Sequence, residues 1–153
     1  MAEPIRLIVC GARESIGAGV IAGLKPEYEV VQFILTPEAA ISEIPLIARG
    51  QKPATSSSSI GTGNISEDRR PVAVITGGAY SEGFDELRAK VEGQFDGPEG
   101  SGLVWLKHDG SKPAPVPGTP EYGKVIIDRT REALGSVEKK GVLGSGKSEV
   151  HLY

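Results

Sequence analysis

The chain has 153 residues, with 17 Lys+Arg against 20 Asp+Glu and a formal net charge of −3 at pH 7. That length fits one domain with a sizeable core, and the balanced charge excludes a nucleic-acid footprint or an acidic-membrane anchor. A single cysteine, Cys10, excludes an internal disulfide and a thiolate metal cluster. With no long apolar run to form a signal peptide or membrane span, the expected compartment is cytoplasmic.

Residues 5–10 form a short apolar run that opens onto glycine, the profile of a buried strand. Ile16, Val20 and Leu24 then recur at helical spacing, and Lys25-Pro26 ends that helix. Gly19 and Gly23 lie inside it and are tolerable where the helix backbone approaches the sheet closely. Residues 28–35 read as a second strand. Thr36-Pro37-Glu38 follows with the grammar of a helix start: an N-cap, proline at the first position and an acid in the first turn. Pro45 is expected to break that helix. Residues 51–71 contain four consecutive serines and a Gly-Thr-Gly-Asn stretch, which read as a mobile surface loop.

Residues 72–76 are the least polar strand and end in Gly77-Gly78. Ser81 is placed to cap a third helix with the stripe Phe84, Leu87, Val91. Residues 103–106 form a fourth strand, and a proline-rich segment occupies 112–118. Thr119-Pro120-Glu121 repeats the helix-start grammar, and Gly141 closes the last helix. The order is therefore β-α-β-α-β-α-β-α, which implies a three-layer α/β/α sandwich, Rossmann-like or flavodoxin-like, around a four-stranded parallel sheet. The two most apolar strands belong in the centre, which gives the order 2-1-3-4, with 3-2-1-4 as the alternative. One Rossmann-like domain then spans residues 1–143, and 144–153 read as a flexible tail. In the 2-1-3-4 order, the turn at 11–17 and Gly77-Gly78 flank one crevice at the switch point.

The turn itself, Cys10-Gly11-Ala12-Arg13-Glu14-Ser15-Ile16-Gly17, resembles that of the short-chain dehydrogenase/reductase family. That family's pattern is a glycine, three residues, a glycine, one residue and a glycine. Gly11 and Gly17 fall on the first and third glycines, and Ser15 replaces the second. The resemblance implies a phosphate-bearing ligand at the helix start, held by backbone N–H groups of Gly11, Ala12, Ser15, Ile16 and Gly17 and by the Ser15 hydroxyl. Arg13 would pair with the 2′-phosphate of NADP, and Thr36 stands where an acid would hold the ribose of NAD. Gly77 and Gly78 would let the ligand lie close to the third strand. The family's catalytic tyrosine with a lysine four residues on is missing, since Tyr122-Gly123-Lys124 has the wrong spacing. The chain is also similar to small single-module Rossmann-like proteins, so the expectation is a sensor or adaptor that binds a nucleotide.

Two other patterns compete. Ala79-Tyr80-Ser81-Glu82-Gly83 resembles a nucleophile elbow, with His108 as its base, but Ser81 is equally explained as a helix cap. Residues 141–148 match the Walker A pattern but follow a helix rather than a strand, and so read as tail. With two histidines and one cysteine no metal site is expected. A third class, an interaction module forming a homodimer through a sheet edge, needs no ligand at all.

Overall fold

A computed structural model describes residues 3–153. Five parallel strands, β1 (Ile5–Cys10), β2 (Tyr28–Ile34), β3 (Ala73–Thr76), β4 (Val104–Lys107) and β5 (Val150–Leu152), form one sheet in the order β2-β1-β3-β4-β5. Helices α1 (Glu14–Leu24) and α4 (Pro120–Lys139) cover one face; α2 (Pro37–Ala48) and α3 (Phe84–Glu92) cover the other. The chain is thus α/β, and the expected order of the first four strands holds while the 3-2-1-4 alternative falls. The strand count is corrected from four to five. Residues 150–152, read as tail, pair with β4 because Trp105 N–H donates to Glu149 O (2.7 Å) and Tyr153 N–H to Lys107 O (3.1 Å).

Capping explains where α2 and α4 begin. Thr36 Oγ1 accepts from Ala39 N–H (3.1 Å) and Thr119 Oγ1 from Tyr122 N–H (3.3 Å), with proline next in both cases. Pro45 does not break α2, contrary to expectation. Its missing N–H leaves the Ile41 carbonyl free, and Gln94 Nε2 donates to that oxygen at 3.0 Å from beyond α3. Nor does Ser81 cap α3: it follows a 3₁₀ turn (Gly78–Tyr80), and α3 starts only after Gly83, whose φ of 78° ends the preceding backbone path.

The serine-rich segment is docked rather than free. Phe33 N–H donates to Ile60 O (3.0 Å), and Thr62 and Gly63 N–H donate to Val30 O (3.0 Å) and Val31 O (2.9 Å). Residues 60–63 therefore cover the outer edge of β2. Gly61 permits this approach: its φ is 120°, and a Cβ there would lie 2.6 Å from Val31 O. The serines fasten the segment inward. Ser57 Oγ accepts from Leu35 N–H (3.0 Å), buried Ser58 donates to Glu14 Oε1 (2.8 Å), and Gln32 Nε2 donates to Ser58 O (2.8 Å).

Gly23 works against a helix, not the sheet. A Cβ there would collide with the Ile127 side chain of α4, whereas Gly19 faces open space.

Candidate functional site

At the carboxyl ends of β1, β3 and β4 lies a crevice of about 540 Å³, a volume in the ordinary range for small-molecule sites. One wall is the turn from Gly11 to Gly17, the other is Gly77, Gly78 and Ala79. Ala114, Pro115 and Pro117 of the proline-rich segment form a strap across the mouth. Gly11, Ala12, Arg13, Ile16, Gly17, Gly77, Gly78 and His108 all line this one space, as the strand order requires.

The glycines have a job besides ligand approach. A Cβ at Gly17 would stand 2.5–2.8 Å from the Phe33 ring, and one at Gly11 would stand 3.1–3.2 Å from it. Phe33, on β2, is 1% exposed and fills the space between these glycines. Gly77 and Gly78 are under no such demand, since their added Cβ atoms would meet neighbours only at 3.5 Å and 3.4 Å.

Main-chain donors remain at the start of α1. Arg13 is its N-cap and supplies no side-chain cap. Gly17 N–H is used by Arg13 O (3.0 Å), while the N–H groups of Glu14, Ser15 and Ile16 have no protein partner among the described residues. The Arg13 side chain is exposed, reaches toward Gly118 in the strap, and makes no ion pair among the described residues. Lys112 adds a second cation to the lining.

Two expected ligand residues lie elsewhere. Ser15 lines a neighbouring groove between α1 and the start of α4 rather than the crevice itself. Thr36 is committed to capping α2 and is outside the crevice too. Ser81 and His108 form no hydrogen bond with each other; each keeps a buried polar atom, Ser81 Oγ and His108 Nδ1, without a protein partner. Asp109 accepts from Ser111 N–H (3.0 Å) and Oγ (2.6 Å) instead of orienting the imidazole. Ser81, His108 and Asp109 therefore form no nucleophile–base–acid relay with one another.

Tyr153 is the crevice residue that sequence reasoning missed. Its ring is 2% exposed, meets His108 edge-on at 5.7 Å, and its hydroxyl donates to Thr76 O at 2.8 Å. Arg129 Nη2 donates to the Tyr153 main-chain oxygen (2.7 Å). The alternation Val150-His151-Leu152 was the available strand signal. Tyr80 is structural by contrast: its hydroxyl donates to Ile34 O (3.1 Å) and burial pushes its ionisation up.

Burial, helped by the nearby Arg129 charge, holds the His108 pKa below its usual value. The unfolded chain takes up this proton near pH 6.5, the folded chain only at lower pH. Between those values the unfolded state binds more protons, so stability falls as pH falls. Urea unfolding between pH 7.5 and 5 is expected to show this decline, and His108→Gln to make it shallower; parallel curves would refute the assignment.

No protein-family model matches the chain, and no solved structure matches it. It is 37% identical over 150 residues to Kojic acid related protein 6 of Aspergillus oryzae (strain ATCC 42149 / RIB 40), an alignment covering 97% of this chain and 86% of that protein. The chain belongs to the family of Kojic acid related protein 6. For this member of the family, no helix among the described residues is long and apolar enough to cross a membrane.

Proposed function

We propose that this chain binds a small phosphate-bearing ligand of the nucleotide type in the crevice, with NADP(H) as the first candidate, and acts as a sensor or adaptor. The observation that carries this reading is the glycine turn. It puts Ile16, one of three α1 residues with partnerless N–H groups, and the unpaired Arg13 on the lining of a largely apolar space. A helix start favours an anion, and a guanidinium adds charge and a planar fork of donors. The phosphate would rest on Glu14, Ser15 and Ile16 N–H, and the apolar body would lie toward Gly77 and Gly78, since Phe33 already fills the space under Gly11 and Gly17. The Ser58–Glu14 hydrogen bond joins this turn to the docked serine segment, a route by which ligand would alter the loop at 51–71.

Thermal unfolding with millimolar NADP⁺, NADPH, NAD⁺, FMN or ATP tests the proposal; kojic acid joins them because the relative's name mentions it. Ligand at 100 times its dissociation constant adds about 2.7 kcal/mol, a shift of roughly 5–10 °C at this length. Arg13→Ala is expected to weaken binding about tenfold, through loss of a charge-assisted contact. No shift with any phosphate ligand, or a shift indifferent to Arg13, would remove the reading. The sensor role further requires slower hydrogen exchange in residues 51–71 when ligand is bound.

A further inference from the structure

The crevice has few polar groups to spare. Of its lining hydroxyls, Thr130 donates to Ile126 O (2.7 Å) and Tyr153 to Thr76 O (2.8 Å), so both protons are spent on main-chain carbonyls. Cys10 is buried, and burial pushes its thiol away from ionisation. Arg13 and Lys112 are exposed cations. That leaves two uncharged side chains with a free polar atom, Tyr122 and His108. Tyr122 is shared with the neighbouring groove, whereas His108 lines the crevice and not that groove.

The two nitrogens of the His108 ring are not equivalent. A Cβ on Gly78 would stand 3.4 Å from Cδ2 and 3.6 Å from Nε2, so that side of the imidazole is turned to the glycine wall. Nδ1 is buried without a partner among the described residues, and Nε2 is not sealed in this way. Tyr153, edge-on at 5.7 Å and anchored through its own hydroxyl, holds the ring in this attitude. Burial and the Arg129 charge keep the imidazole uncharged at neutral pH, with one N–H and one bare lone pair. A proton on Nδ1 would be a buried donor with no acceptor, a rare defect in folded chains. The proton therefore belongs on Nε2, where it is offered to the crevice.

We propose that His108 reads the uncharged end of the ligand, its Nε2–H donating to a carbonyl oxygen carried on a planar ring that lies along Gly77 and Gly78. The inference rests on the phosphate reading above and narrows it to one class, a phosphate ester whose far end is a carbonyl-bearing ring. Three features select that class. The two glycines present no side chain to the ring, and packing does not require them to be glycine. A carbonyl projects beyond its ring and accepts over a broad range of directions, which a ring nitrogen does not. A second anion at this end would be buried against an uncharged donor, at a cost that a carbonyl avoids. NADP⁺ meets the description through its carboxamide. Adenosine 2′,5′-bisphosphate has the phosphates and lacks that ring.

Titration calorimetry of the full chain with these two compounds tests the assignment. His108→Phe keeps an aromatic ring against Tyr153 and removes the donor. It is expected to weaken NADP⁺ roughly tenfold and to leave the bisphosphate unchanged. His108→Gln restores an N–H and is expected to recover part of the loss. Arg13→Ala should weaken both compounds, because it acts at the phosphate end. Long-range proton–nitrogen NMR reads the tautomer in the wild-type chain, where His108 and His151 are the two rings to assign. It should show His108 protonated on Nε2 alone, with that nitrogen moving on addition of NADP⁺ and not of the bisphosphate. If both compounds bind with Arg13 dependence but His108→Phe alters neither, this inference falls and the phosphate reading stands. Binding of neither compound removes both. A proton on Nδ1, equal weakening of both compounds by His108→Phe, or a selective loss of NADP⁺ in Tyr122→Phe instead would each overturn the role of His108.

Discussion

Tyr153→Ala is expected to lower stability by about 3–5 kcal/mol, the range for removing a buried aromatic ring. At this chain length that moves the unfolding midpoint down by roughly 6–20 °C. The loss has two sources. The ring is buried beside the crevice and packs edge-on against His108. The hydroxyl also satisfies the Thr76 carbonyl, which is otherwise left buried. Tyr153→Phe separates these, because it keeps the ring and orphans only the carbonyl, at about 1–3 kcal/mol. Thermal unfolding of both variants is the check. Equal losses would mean that the hydroxyl alone matters and the ring is not a packing element. Near-neutral behaviour in Tyr153→Ala would mean that the end of the chain is not integral to the core.

In Gly17→Ala, two effects of opposite sign meet. Alanine in a helix interior normally gains up to about 1 kcal/mol over glycine. Here the added methyl stands 2.5–2.8 Å from three atoms of the Phe33 ring. The ring is 1% exposed and also lies against Gly11, which limits how far it can turn away. Overpacking of this kind costs typically about 1–3 kcal/mol, and steric cost is expected to win. A double-mutant cycle with Phe33→Ala exposes the cause. In that background the clash is gone, and Gly17→Ala should become neutral or stabilising. If Gly17→Ala stabilises the wild-type chain, Phe33 is not held as described, and the glycine is kept for ligand approach alone. The distinction bears on function, because a glycine required by Phe33 persists whether or not a phosphate ever enters the turn.

Much of the site's location was legible from local signals. Apolar runs ending in glycine marked β1 and β3, and placing them side by side brought the turns at Gly11–Gly17 and Gly77-Gly78 to one crevice. Arg13, read as a partner for a 2′-phosphate, and His108, read as the base of a nucleophile elbow, both line that crevice. Ser15 lies on a neighbouring groove and Thr36 caps α2, outcomes that depend on the turn's three-dimensional path, which spacing does not contain. Tyr153 was missed because three residues of strand with a histidine at the centre carry too little periodicity to register.

By itself, the sequence determined the alternation of strands and helices, the caps at Thr36 and Thr119, and the central placement of β1 and β3. Each follows from hydrogen bonding or burial periodicity within a few residues of chain. Only the tertiary structure decided that Pro45 is tolerated, that the serine segment seals the β2 edge, that Phe33 occupies the glycine turn and that a fifth strand ends the sheet. These outcomes rest on partners far apart in the chain: Gln94 for the Ile41 carbonyl, Val30 and Val31 for Thr62 and Gly63, Gly17 for Phe33, and Lys107 for Tyr153. Their groups become neighbours only once the sheet has formed, and burial then requires every polar group to find a partner and every void a side chain.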